Sequence, residues 1–244
     1  MIIDNHKEFQ LDGTQFTNIH KELMKYFSDN GIDVEISDDL VGLKKHLMSQ
    51  SKDDYPYGMD TFFDDEELAT KGEFFGLIRQ MKSFVLLLKK DDEIIATYAA
   101  RQMPVEYFID VCASKKEGVR RGTDVVKPEK LLGLKNSWYS SCQWTSKNHR
   151  GKKFGVFLDH LKKNILFDMM NEENNPVQLN YALQREALND YHVKHLGYEA
   201  SEYFMTYDNG IGGAGTADDK KYSIAYVMAE TWKNKQDEIK KLYS

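Results

Sequence analysis

Cysteine is scarce. Two occur in 244 residues, Cys112 and Cys142, and their separation suits neither a metal site nor a stapled small fold, so both read as free thiols of a reducing compartment. The seven histidines, His6, His20, His46, His149, His160, His192 and His195, show no metal-ligand spacing either. His192 and His195 stand three apart, but the sequence places no third ligand beside them. No run approaches the eighteen apolar residues of a membrane span. The opening residues, MIIDNHKEFQLDG, lack the basic start and apolar centre of a secretory leader. The cytoplasm is therefore the expected location. An excess of positive charge is also absent. The net charge is −6, which argues against bulk attraction to nucleic acid or to an anionic membrane, while leaving room for a local basic patch. There is no internal repeat and no long linker.

What is present describes a folded globular chain. Hydrophobic residues make up 41% and aromatic residues 12%, enough for a sizeable core. The length fits one large domain or two small ones, and the order of elements favours one. Residues 1–82 are helix-rich, 83–228 carry the core sheet, and 229–244 form a C-terminal helix. The spacing predicts helices over Phe16–Asp29 and Asp64–Met81, with Gly31 ending the first. A short strand follows over Ile32–Ile36, then a helix over Leu40–Met48 with Ser37 and Asp38 as N-cap residues. Ser83–Lys89 and Glu93–Met103 form a hairpin, and Val105–Val111 reads as a continuation of strand. Lys115–Lys135 reads as a loop or insertion with one short helix near Pro128–Leu134. Further strands are expected at Pro176–Leu183, Tyr198–Tyr207 and Tyr222–Met228, with a helix over Arg185–Leu196 that Gly197 ends. The fold class is mixed α/β, one layered sheet flanked by helices.

The chain is organised around Ser137–Met170. Ser137–Thr145 is a strand, Ser146–Lys153 a basic loop, and the following helix repeats Phe154, Phe157, Leu158, Leu161, Ile165, Leu166 and Met169 at spacings of three and four. Within it, Arg150-Gly151-Lys152-Lys153-Phe154-Gly155 places three cations where the helix dipole is already positive. A bound anion would resolve that conflict, and successive N–H groups at such a turn suit a phosphate. The competing reading is a plain basic helix start capped by Asn148.

The run NHRGKKFGVFLDHLKK resembles the acyl-coenzyme A signature of the GNAT N-acetyltransferase superfamily, Arg/Gln-x-x-Gly-x-Gly/Ala. Arg150 matches its first position and Gly155 its last, and Lys153 stands where the middle glycine is usual. Leu196-Gly197-Tyr198 is similar to the family's late segment, and the hairpin at 83–103 to its second and third strands. The resemblance implies a mostly antiparallel, splayed sheet of about seven strands. It implies acetyl-CoA, or another acyl-CoA, as co-substrate and no metal. Gln143, Trp144 and Thr145 would border pantetheine, paired as an added strand. Arg150, Gly151, Lys152, Lys153, Phe154, Gly155 and Val156 would hold the pyrophosphate. An amine, in a small molecule or a peptide, would attack the thioester directly, with a backbone N–H on the developing oxyanion and a base and an acid moving protons.

The family often has a tyrosine four residues before the glycine of its late segment, and here that position is Val193. Tyr191 is then the first candidate acid and His192 the second, with ordinary packing as the competing reading for both. Glu106, Asp110 and Tyr139 are candidate bases, and water is another. Cys142 reads as inert strand packing, since no helper for a nucleophile is identifiable. Arg120 and Arg121 would favour an acidic acceptor, or are simply solvated. Trp232, Ile239 and Leu242 put an apolar side on the C-terminal helix, which packs on its own domain or forms a dimer contact; monomer and homodimer both stay open. Gly210–Gly215 fits G-x-G-x-x-G, but no apolar helix follows, so it reads as a flexible hairpin loop and not a dinucleotide site. An alternative from another class is a GNAT-like protein that binds CoA without turnover, in a regulatory or interaction role.

Overall fold

The structure, a computed structural model, describes residues 25–50, 82–113, 122–125, 127–169, 174–207 and 220–234. Much of the expected helix over Phe16–Asp29, all of that over Asp64–Met81, the pair Arg120-Arg121 and the glycine-rich loop at 210–215 lie outside these residues. So does the C-terminal helix beyond residue 234; residues 25–29 and 229–234 are helical.

Among the described residues eight strands form one sheet. In chain order they are β1 (Ile32–Ser37), β2 (Ser83–Lys90), β3 (Glu93–Gln102), β4 (Gly122–Val125), β5 (Ser137–Thr145), β6 (Leu179–Arg185), β7 (Glu199–Tyr207) and β8 (Lys220–Met228). In space the order is β1-β2-β3-β5-β6-β8-β7-β4. Every neighbouring pair is antiparallel except β5 and β6. This is a mixed, mostly antiparallel sheet, with one strand more than expected. The addition is β4, found inside the segment 115–135 read as a loop. Four residues, GTDV, are too few to show an alternation.

Besides the helical residues 25–29 and 229–234, the described residues form the α-helices α1 (Leu40–Ser49), α2 (Val105–Ala113), α3 (Phe154–Asn164) and α4 (Asn189–Leu196). Asp39, rather than Ser37 or Asp38, caps α1: its carboxylate accepts the Gly42 N–H at 2.7 Å, and Ser37 Oγ takes the Asp39 N–H. The segment expected to extend as strand, Val105–Val111, is instead α2. Its Val105, Phe108 and Ile109 recur at helical spacing and are buried against Met103, Tyr139 and Tyr181. Pro104 sits where a missing N–H costs nothing, and its carbonyl accepts the Phe108 N–H at 3.1 Å. Short 3-10 turns at Glu129–Leu131, Lys147–His149 and Glu186–Leu188 join the elements.

The sheet is covered on both faces. On one, α1 and α2 bury Leu43, Leu47, Val85 and Trp144, and Phe108, Tyr139, Tyr181 and Ile224. On the other, α3 packs on Phe84, Leu86, Tyr98, Trp138 and Val227, with Phe27, Leu196, Tyr198 and Trp232 around it. The expected apolar stripe of α3 is there, yet the opposite side is buried as well. Asp159, His160, Lys162 and Lys163 are all closed off from solvent, because Tyr198 and Trp232 cover the side that hydropathy alone would give to water.

Candidate functional site

β5 pairs in parallel with β6 over four rungs only, from Ser137↔Leu179 to Ser140↔Ala182. Beyond them β5 stays with β3 as far as Ala96↔Thr145, while β6 stays with β8 as far as Arg185↔Tyr222. Two strand edges therefore face each other with no ladder between them. Exposed backbone edges of this kind can accept an extended ligand as an additional strand.

A bulge in β5 shapes this opening. Thr97 pairs with Trp144 and Ala99 with Ser141, so β5 carries an extra residue at that point. Cys142 adopts φ +57° to absorb it, a left-handed conformation that costs a non-glycine residue about 1 kcal/mol. Its carbonyl accepts the buried Thr97 hydroxyl at 2.8 Å. The extra residue shifts the in–out alternation by one. Trp138 faces α3, and so does Gln143, five positions later, whose amide donates to the Gly155 carbonyl at 3.2 Å. Trp144 is thereby turned to the other face, edge-on to His46 at 5.2 Å. Cys142 is buried among Val85, Leu87 and Trp144, as packing. The side chain of Cys112 is outside the described residues.

The loop after β5 is tied at both ends. Ser146 N–H reaches Ile95 O at 2.9 Å, and Arg150 Nε donates to the Thr145 carbonyl at 3.1 Å. His149 receives or gives a 2.8 Å bond with Ser146 Oγ and stacks on Phe154. Burial, with Lys152 and Lys90 nearby, lowers the His149 pKa. Two residues then take left-handed backbone, Gly151 at φ +79° and Lys153 at φ +61°. Lys153 thus adopts a conformation that favours glycine. The first turn of α3 holds no acidic residue and no side-chain cap, so the N–H groups of Phe154, Gly155 and Val156 face outward from the positive end of the helix. The Asn148 cap of the competing reading is not formed: Lys153 occupies the N-cap position, with no side-chain cap bond.

Beside this helix start lies a cleft of about 700 Å³. Gln143, Trp144 and Thr145 form one wall. His149, Arg150, Gly151, Lys153, Phe154, Gly155 and Val156 form the end that carries the cations. Leu188, Tyr191 and His192, from the turn before α4 and from α4 itself, form the other wall. Of the ten residues expected to border an acyl-CoA, Lys152 alone is outside this lining. Its ammonium donates to the Tyr26 hydroxyl at 2.8 Å and lies over that ring. Tyr191 is in the wall. Glu106 and Tyr139 are not. The Glu106 carboxylate accepts the Gly133 N–H, and Tyr139 is buried between Phe108 and Tyr181 with ring centroids 4.7 and 5.5 Å away. Asp110 lies in α2, with its side chain outside the described residues. Val193, where the resemblance would place a tyrosine, is exposed and does not line the cleft.

Behind the α4 wall is a charged interior that sequence reading passes over. Lys162 Nζ donates to Asp159 Oδ1 at 2.7 Å and to Tyr198 Oη at 2.8 Å. Lys163 Nζ reaches Asp159 Oδ2 at 2.5 Å and the Leu196 carbonyl. Lys162 also lies 3.9 Å from the Tyr98 ring centroid, and Lys163 the same distance from that of Tyr198. Burial lowers Lys162 to about 7, against the opposing pull of Asp159. Burial would raise the Asp159 carboxyl, but Lys162 and Lys163 outweigh it and hold it well below the usual carboxylate range. The sequence signal was Asp159-x-x-Lys162-Lys163, ion-pair spacing on a helix, which ordinarily marks a solvated face. Among the described residues no group of three or more His, Cys, Asp or Glu could hold a metal ion, and no helix is long and apolar enough to cross a membrane.

No protein-family model and no curated protein matches the sequence. Solved structures do resemble the fold. A spermidine N-acetyltransferase chimera of Vibrio cholerae SpeG and hSSAT aligns with TM-score 0.46 and 11% identity, over 83% of this chain and 98% of that one. An acyl-CoA N-acyltransferase from Pseudomonas aeruginosa aligns at 0.40 and 12%, over 80% and 98%. A ribosomal-protein-alanine N-acetyltransferase from Brucella melitensis aligns at 0.41 and 12%, over 79% and 98%. These are distant likenesses of outline, and each name speaks for that protein alone.

Proposed function

We propose that the chain is an acyl-CoA-dependent N-acyltransferase that moves an acyl group, acetyl in the simplest case, to an amine of a small molecule or peptide. The carrying observation is the parting of β5 from β6 directly beside an uncapped, cationic helix start. One end of the cleft offers backbone N–H groups and positive charge, as a pyrophosphate needs. Its middle offers an unpaired strand edge, as an amide-bearing pantetheine arm needs. The residues fit the group. A Cβ on Gly155 would come within 2.8 Å of Gln143 Nε2, so the bare glycine leaves Gln143 its bond to the Gly155 carbonyl. Arg150 and Lys153 would add charge at the phosphate end, and Gln143–Thr145 would align the arm. The donor, when bound, supplies an activated thioester, and the chain's task is to hold it, exclude water and move a proton.

Isothermal titration with acetyl-CoA tests this, followed by thiol release with a panel of amines. Arg150→Glu and Gly155→Asp each put a carboxylate into the cradle, and each is expected to abolish binding with the circular dichroism spectrum unchanged. Unaltered affinity in both variants would remove the assignment. A second reading, CoA binding without turnover, draws on Val193 in the tyrosine's place and on Glu106 and Tyr139 standing outside the cleft wall. Tight binding with no thiol release across the panel would select it.

A further inference from the structure

Among the described residues five titratable side chains line the cleft: His149, Arg150, Lys153, Tyr191 and His192. Arg150 and Lys153 belong to the anion end. His149 is engaged with Ser146 and stacked on Phe154 in the loop before α3, at the same end. The wall formed by the turn before α4 and by α4 itself carries the remaining two, Tyr191 and His192.

His192 is held in one orientation. Its Nδ1 lies 3.0 Å from the Leu188 carbonyl. A carbonyl can only accept, so Nδ1 carries a hydrogen, and in the neutral ring Nε2 keeps the lone pair. The ring is set edge-on between Tyr191 at 5.8 Å and Tyr198 at 5.6 Å. Gly197 brings Tyr198 there: its φ of +69° reverses the chain, and the Tyr198 N–H then reaches the His192 carbonyl at 3.2 Å. Tyr198 is itself fixed by Asp159 at 2.9 Å, Asn180 at 3.0 Å and Lys162 at 2.8 Å. The result is an imidazole with a settled tautomer on a rigid mount, in the wall of a cleft.

We propose that His192 is the proton carrier of this cleft, serving in place of the tyrosine absent at position 193. The proposal rests on the acyltransferase reading above. In the step it describes, the amine nitrogen forms a bond to the acyl carbon and the carbon–sulfur bond breaks. Nε2 takes the one proton the nitrogen loses and returns it to the departing sulfur, so the histidine ends as it began. Burial lowers the His192 pKa, opposed by its Leu188 bond and by Asp159 and assisted by Lys163 and Lys162, which leaves the ring neutral at pH 7, its Nε2 lone pair unprotonated. Tyr191, whose pKa burial and Asp159 raise, keeps its proton there and cannot act as the base.

Two measurements on the full chain test it. In the first, the His192 ring signal is assigned in ¹³C-histidine protein by its loss in His192→Gln. It is expected to shift with acetyl-CoA and to stay still with 3′,5′-ADP, which fills only the nucleotide end. In the second, His192→Gln is expected to bind acetyl-CoA within twofold of wild type and to lose about a hundredfold in kcat. It should also lose the acidic limb of the pH–rate profile, and imidazole should restore part of the rate to His192→Ala. If acetyl-CoA gives no heat with wild type, the acyltransferase reading itself falls. If it binds but the His192 signal does not move, or if Tyr191→Phe rather than His192→Gln loses the rate, this proposal alone is overturned.

Discussion

The Tyr198 hydroxyl lies 2.9 Å from the Asp159 carboxylate in an interior that solvent does not reach. Lys162 donates to both, and Asn180, within 3.0 Å of the same hydroxyl, passes the chain of bonds to the Trp138 carbonyl and Ser140 Oγ of β5. The carboxylate therefore helps to hold β6 to β5 where their ladder ends. Asp159→Asn would leave two ammonium groups without a counter-charge, an outcome that typically costs about 3–5 kcal/mol. Lys162→Met removes one charge, keeps the Asp159–Lys163 pair, and is expected to be neutral or stabilising. Urea unfolding of the two variants checks the contrast; equal losses would show that the second lysine also serves stability.

The same group gives stability a pH dependence of defined sign. Lys162 titrates near 7 in the folded chain and near 10.5 when unfolded. Between those values the unfolded chain binds the extra proton, so stability rises with pH across that window. Asp159 acts at the other end: its depressed pKa stabilises the fold above pH 3.8, and that contribution is lost as acid protonates it. Unfolding free energies at pH 7, 8, 9 and 10 are expected to climb in the wild type and to flatten in Lys162→Met. A slope unchanged by the substitution would move its origin elsewhere.

Thr97→Val tests the bulge. The Cys142 carbonyl would lose its buried donor, a loss of about 1–3 kcal/mol. Its release would also loosen the shift in alternation that aims Gln143 at Gly155. Both a lower unfolding midpoint and weaker acetyl-CoA binding are expected. Full stability with full affinity would mean that β3 pairing alone fixes the bulge.

Lys153→Gly separates backbone from charge in the cradle. Glycine takes φ +61° without steric cost, so stability should stay level or rise by up to about 1 kcal/mol. Acetyl-CoA affinity should fall, and the fall should be larger at low salt, where an exposed cation is least screened. Titration at two ionic strengths reads this directly. Tighter binding by the variant would show that lysine had been distorting the turn.

The sequence displays these elements unevenly, for physical reasons. The β2–β3 hairpin and the β5–loop–α3 unit are legible because long apolar patterns and a Gly-punctuated basic turn leave few alternatives. Val105–Val111 alternates weakly enough to pass for strand, and its helical state is decided by Pro104 and by contacts with Tyr139 and Tyr181 that come from afar. The bulge at Cys142 is silent, since neither glycine nor proline marks it in SWYSSCQWT. Lys162 and Lys163 look solvated because what buries them, Tyr198 and Trp232, follows much later in the chain. Within the candidate site, the basic turn and the start of α3 are carried by local residues and are legible, whereas the α4 wall depends on which side of a short helix meets Tyr198.

β4 follows β3 in the chain yet lies at the far rim of the sheet, where its partner is β7 through Gly122↔Tyr207 and Val125↔Met205. That pairing cannot close until β7 exists, so the molecule does not assemble in the order in which it is synthesised. Strands β1, β2, β3 and β5 and helix α3, with the cradle, can gather from the first two thirds of the chain, while β4 waits for the last hairpin. Such delayed, non-local pairing slows folding. A nascent chain stopped before Glu199 would thus lack three strands of the sheet, β7, β8 and β4, the last of which it had already made.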